Sequence, residues 1–117
     1  MGSESKSFQD FRKKMNARIL ASGNLEIKRF FSLDKQAYKD GALSAQTKEL
    51  LGLTASLVLR CKECVSYHLQ QCVELGFDDG QLYEAFNVAL LVGGSIVIPQ
   101  LRNAAAMLDE IRRSSGG

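Results

Sequence analysis

Cys61 and Cys64 stand two residues apart in Cys61-Lys62-Glu63-Cys64, a spacing at which two sulfurs close into a small-ring disulfide and reopen by exchange. A helix beginning at this pair would add stabilisation of a thiolate by its N-terminal amides. His68 follows Cys64 by four residues and Cys61 by seven, so on a helix all three side chains project from one face. An imidazole so placed can take the proton from a thiol and later return it. Glu49 lies twelve residues before Cys61, about three helical turns. If two helices pack antiparallel through a tight junction near Arg60, Glu49 faces His68, where a carboxylate orients the imidazole and stabilises its charged form.

These residues need helices to hold them, and the sequence supplies helical signals along its length. Phe8, Phe11, Met15 and Ile19 recur at helical spacing between a Ser7 N-cap and the Ser22-Gly23-Asn24 stop, which predicts a helix over residues 8–21. Asn24 caps a second helix with Leu25, Ile27, Phe30, Phe31 and Leu33 on its apolar side, ending at Asp40-Gly41. Ser44 caps a third over Ala45 to Arg60, with Leu50, Leu53 and Leu57 on one face and Glu49 on board. The fourth starts around Cys61 and runs through Val65, Leu69 and Cys72 to Leu75, with Gly76 just past its end. Asp78 and Gln81 form a capping-box pair opening a fifth through Leu82, Phe86 and Leu90, which Gly93-Gly94 closes. Pro99 suits the first turn of a last helix with Leu101, Ala105, Leu108 and Ile111 on one face, and Ser114 to Gly117 should fray. No segment alternates apolar and polar residues over a strand's length. The fold class expected is all-α: one domain over residues 1–117, a bundle of about six helices in which 1–42 are N-terminal helices and 43–113 form the core carrying the motif.

Composition excludes several other classes. With 117 residues, 45% of them hydrophobic and 24% charged, the chain can bury one core and is neither disordered nor membrane-spanning by composition. Its longest apolar stretch, Val88 to Val97, is interrupted by Gly93, Gly94 and Ser95 and is too short for a bilayer. No apolar run follows the first charges, so a secretory signal is not expected and the cytoplasm is the default compartment. There, three cysteines do not read as a disulfide scaffold. The net charge of +2 is dispersed apart from Arg12, Lys13, Lys14 and Arg18, and without interleaved aromatic residues these read as a solvated helix face, so no nucleic-acid or membrane partner is expected.

Plainer roles compete for the same residues. Zinc is the sharper rival for Cys61, Cys64, His68 and Glu49, but structural zinc joins two separated ligand pairs, and here three donors share one helix. Cys72, on the same stripe, reads as a small core residue, Glu84, Gly93 and Gly94 as structural, and Tyr67 and Tyr83 as packing and surface residues.

Glu49, Cys61-x-x-Cys64 and His68, followed by Gly76, Glu84 in Gln-Leu-Tyr-Glu-Ala, and Gly93-Gly94, resemble the alkylhydroperoxidase D group of the carboxymuconolactone decarboxylase superfamily over roughly Leu43 to Leu108. The resemblance implies a thiol-dependent peroxidase or disulfide oxidoreductase that needs no metal, haem or other cofactor. Cys64 would attack a hydroperoxide and become a sulfenic acid; Cys61 would resolve it to a disulfide and exchange with a dithiol reductant, a lipoyl group or a thioredoxin-like protein. Glu49 and His68 would form the proton relay, through water. Helix-dipole reasoning alone favours Cys61 as the thiolate, whereas His68 at the i+4 position, like the resemblance, favours Cys64. Where well-known members carry histidine just before the second cysteine this chain has Glu63, whose charge disfavours a neighbouring thiolate. The compact members assemble as trimers or hexamers, which Ile27, Phe30 and Phe31 would suit. The alternatives are a lactone decarboxylase, which needs acid–base groups and no dithiol, and a non-enzymatic redox sensor.

Overall fold

The computed structural model describes the backbone of residues 3–114 and the side chains of residues 6–114. Among them run six α-helices and one 3-10 turn, with no strand: α1 (Ser3–Ala21), α2 (Leu25–Ala37), α3 (Ala45–Leu59), α4 (Lys62–Glu74), α5 (Asp79–Gly93), the turn Ser95–Val97, and α6 (Ile98–Ser114). The all-α expectation holds.

Local chemistry explains most of the boundaries. The Asn24 side chain accepts from the Ile27 amide, Ser44 from Thr47, and Asp78 from Gln81, whose own side chain returns a bond to the Asp78 amide. Gly76, at φ +97°, ends α4 in a Schellman arrangement: its amide donates to the Val73 carbonyl and that of Phe77 to Cys72. Gly94, at φ +81°, turns the chain out of α5. A Cβ on Gly93 would collide with Val97, so a close approach is made at this glycine.

Three boundaries differ from expectation. α1 starts at Ser3, which places Ser7 inside the helix; nothing in Ser3 to Lys6 breaks a helix, and apolar periodicity marks where burial starts, not where helical dihedrals do. α2 stops at Ala37, before Asp40-Gly41, because residues 38–41 serve the next helix: Asp40 Oδ1 accepts from the Ala45 amide at 2.7 Å and the Lys39 carbonyl from Lys48 Nζ at 2.7 Å. Ser114 still belongs to α6, and the rest of the expected frayed end lies outside the described residues.

Helix α3 packs against both α4 and α5, and α4 also against α6. Between them lies a core built around Leu53, Leu57, Leu69, Phe86, Val97 and Leu108, each of which contributes about 2 kcal/mol by leaving water. Cys72 is fully buried here. Helix α2 buries none of its residues, and Leu25, Ile27, Phe30 and Leu33 on its apolar side are solvent-exposed. No helix among the described residues is long and apolar enough to cross a membrane.

Candidate functional site

The turn between α3 and α4 sets the position of both sulfurs of the C-x-x-C pair. Arg60 adopts left-handed backbone at φ +61°, its amide donates to the Leu57 carbonyl at 3.1 Å, and the Cys61 amide donates to Ser56 at 3.1 Å. These two bonds are a Schellman motif closing α3, and Cys61 is at the same time the N-cap of α4. Its Sγ accepts from the Cys64 amide at 3.3 Å, the place a serine or aspartate oxygen normally fills. Cys61 and Cys64 are joined as a disulfide, with Cα atoms 5.2 Å apart. Cys64 is exposed, Cys61 half-buried, and Glu63 exposed in the same turn.

The antiparallel register of α3 and α4 decides what meets His68. Gln46 near the start of α3 donates to the Leu75 carbonyl at the end of α4 at 2.7 Å, and the tight turn at Arg60 pins the other end. Glu49 and His68 then meet between the helices, with Glu49 Oε1 2.7 Å from His68 Nδ1 and the carboxylate residue 5% exposed. This is the pairing the spacing predicted. A carboxylate only accepts, so Nδ1 carries a proton and the neutral ring presents a bare Nε2.

That nitrogen faces a residue the sequence did not single out. Tyr38, just past the end of α2, brings its hydroxyl to 3.3 Å from His68 Nε2, and the two rings lie 5.3 Å apart. Gly52 makes room, since a Cβ there would sit 2.7 Å from Tyr38 Oη and 2.9 Å from His68 Cε1. Tyr67, read from sequence as a packing residue, meets the imidazole edge-on at 5.1 Å, and the Arg12 guanidinium lies 4.0 Å above the Tyr67 ring. Burial, reinforced by the charge of Glu49, raises the pKa of both phenols, which stay protonated donors near neutral pH. Arg12, read from sequence as part of a solvated basic face, is instead half-buried against Tyr67, and Tyr38 and Gly52 have no signal in the sequence because their link to His68 runs through space, with no helical period connecting them.

Among the described residues neither ring nitrogen of His68 hydrogen bonds a sulfur; Glu49 and Tyr38 take both. Cys72 stands apart chemically: burial first, and Glu49 second, push its thiol from 9.0 up to about 12, so it remains a neutral SH. Among the described residues no group of three or more His, Cys, Asp or Glu side chains converges as metal ligands would.

A helix-capping disulfide one turn away from a buried carboxylate–imidazole pair, on an all-helical frame, defines a class of small dithiol-bearing helical proteins. The chain belongs to the carboxymuconolactone decarboxylase family, which residues 27–109 match. It is 32% identical over 82 residues to uncharacterized protein 4 in the cox locus of Paracoccus denitrificans, covering 70% of this chain and 74% of that one. Among solved structures it resembles a carboxymuconolactone decarboxylase family protein of Thermotoga maritima, for which a part in antioxidative response has been suggested, at 47% identity and a TM-score of 0.89 over 94% of this chain and 93% of the other. A family member from Legionella pneumophila superposes with a TM-score of 0.84 at 25% identity over 92% of this chain and 96% of its own.

Proposed function

We propose that the protein is a thiol-dependent peroxidase that reduces hydroperoxides through the Cys61–Cys64 pair. The observation that carries this reading is the closed Cys61–Cys64 disulfide at the N-terminus of the helix that also bears the paired His68. The antioxidative role suggested for the Thermotoga maritima protein supports it.

In the reduced protein the exposed Cys64 thiolate attacks the terminal oxygen of the hydroperoxide; the O–O bond breaks, Cys64 becomes a sulfenic acid, and the departing alkoxide takes a proton to leave as an alcohol. Cys61 then attacks the sulfenic sulfur, forms the disulfide and releases water. A dithiol donor, a lipoyl group or thioredoxin-like protein, restores both thiols by exchange and leaves as its own disulfide. Glu49 and His68 hold the proton that moves in these steps. Glu49 keeps the imidazole oriented with Nε2 as the accepting nitrogen, and its charge offsets the imidazolium formed when a proton arrives. The chemistry requires reduced cysteines between turnovers, which suits a cytoplasmic setting. The apolar residues left uncovered on α2 suit a trimer or hexamer.

Steady-state peroxide consumption with a panel of dithiol donors tests the assignment. Wild type should turn over, one equivalent of peroxide should remove two hydrogens mapped to Cys61 and Cys64, and Cys64→Ser should abolish turnover. If Cys64→Ser consumes peroxide as fast as wild type, the assignment is wrong. Turnover of a muconolactone by the Cys61→Ser/Cys64→Ser double variant would point to decarboxylase chemistry instead.

A further inference from the structure

The imidazole of His68 has a second anchor, and it comes from outside the helix pair that carries the dithiol. Tyr38 Oη lies 3.3 Å from Nε2, the nitrogen that the Glu49 hydrogen bond leaves bare. The phenol is the donor in this contact, because Nε2 has no proton to give in the neutral ring. When Nε2 gains a proton, Nε2–H donates to a lone pair of the same oxygen after a turn of its O–H bond. Either protonation state of His68 is thus satisfied without displacement of the ring.

Tyr38 is held there by more than chance contact. Helix α2, which it follows, buries none of its residues, so α2 does not fix the phenol. The bonds on its other side do: the Lys39 carbonyl accepts from Lys48 Nζ at 2.7 Å, Asp40 Oδ1 caps the Ala45 amide at 2.7 Å, and the Gly41 amide donates to the Leu43 carbonyl at 2.9 Å. They clamp the connection to the first turns of α3, the helix that also supplies Glu49 and Gly52. Gly52 is the complementary feature. An alanine would be worth about 1 kcal/mol more in a helix interior, yet its Cβ would fall 2.7 Å from Tyr38 Oη and 2.9 Å from His68 Cε1.

We infer that Tyr38 is a positioning residue of this site: its hydroxyl holds the His68 ring with Nε2 as the proton-accepting nitrogen, and Gly52 provides the space in which the two meet. The consequence for turnover rests on the peroxidase reading above, whereas the consequence for the imidazole does not. Because the chain contains a single histidine, the ring can be followed without assignment ambiguity by 15N NMR.

The test compares wild type, Tyr38→Phe and Gly52→Ala in the reduced state by three measurements: the His68 Nε2 resonance, the rate of Cys64 alkylation by iodoacetamide, and kcat and KM for peroxide. Loss of the hydroxyl should move the Nε2 resonance downfield, slow alkylation at neutral pH severalfold and lower kcat about tenfold with KM nearly unchanged. Gly52→Ala should do the same with both partners still present, and it keeps the question open to refutation should the phenylalanine variant fold poorly. An Nε2 resonance that does not move in either variant overturns the inference, as does a moved resonance with unchanged alkylation. If wild type consumes no peroxide, the peroxidase reading fails by itself, and resonance and alkylation together still decide whether Tyr38 positions the ring.

Discussion

A carboxylate as buried as Glu49 depends on the hydrogen bond that His68 gives it. His68→Ala should therefore lose twice: peroxide turnover falls by at least about a hundredfold as proton transfer is removed, and stability falls by about 2 kcal/mol as Glu49 is left without its 2.7 Å partner. Chemical denaturation beside the kinetic assay reads both, and adding Glu49→Gln to His68→Ala should recover stability but not rate. Glu63 acts in the opposite direction, placing an exposed negative charge beside the sulfurs in the first turn of α4. Glu63→Gln should speed reaction of the reduced protein with peroxide about two- to threefold at low ionic strength, with the gain shrinking as salt is added. Cys72 offers a pH handle. Its thiol ionises near 9.0 when unfolded and about 12 in the native core, so the stability it supplies is complete below pH 9 and drains away as pH rises toward 12. In the native reduced protein iodoacetamide should label Cys61 and Cys64 and spare Cys72; fast labelling of Cys72 at pH 8 would contradict its burial.

At the scale of helices and turns, backbone geometry singles out Arg60. Its φ of +61° is the left-handed region that Gly76 occupies at the matching turn of α4, but Arg60 does so with a side chain. Arg60→Gly should stabilise the protein by about 0.5–1 kcal/mol, raising Tm by a few degrees in calorimetry without touching the sulfurs. The helix ends were legible wherever a side chain or glycine performs the capping, as at Asn24, Ser44, Gly76 and the Asp78–Gln81 box. They were illegible where the ending depends on what comes next, as at Ala37, where Asp40 and the Lys39 carbonyl are taken up by α3. The candidate site divides the same way. Glu49, Cys61, Cys64 and His68 lie on adjacent helices at spacings that turn geometry converts into a face, so their proximity could be read in advance. Tyr38 is thirty residues from its partner, and nothing short of the tertiary fold brings them together.

Seen whole, the molecule is less tightly gathered than its length allows. The radius of gyration is 14.8 Å, against about 13 Å for a compact domain of 117 residues. The excess fits α1 and α2, where Phe11, Leu25, Phe30 and Leu33 are each roughly half exposed or more. Covering that surface with further copies of the chain would remove a large apolar cost. Analytical ultracentrifugation should show a trimer or hexamer, and Phe30→Glu with Leu33→Glu should shift it toward monomer. A wild-type monomer at micromolar concentration would leave these side chains without that explanation.

In the proposed cycle Cys61 is both reagent and structural fastener. Cys61 terminates one helix through its amide and starts the next through its Sγ, so replacing it disturbs architecture and reactivity together unless the replacement can also cap. Serine can, alanine cannot, and the two variants should differ by about 1 kcal/mol in stability while being equally unable to form the disulfide. Whoever tests the proposed redox cycle by mutagenesis should thus choose Cys61→Ser: a lost activity in Cys61→Ala mixes a missing thiol with a loosened hinge.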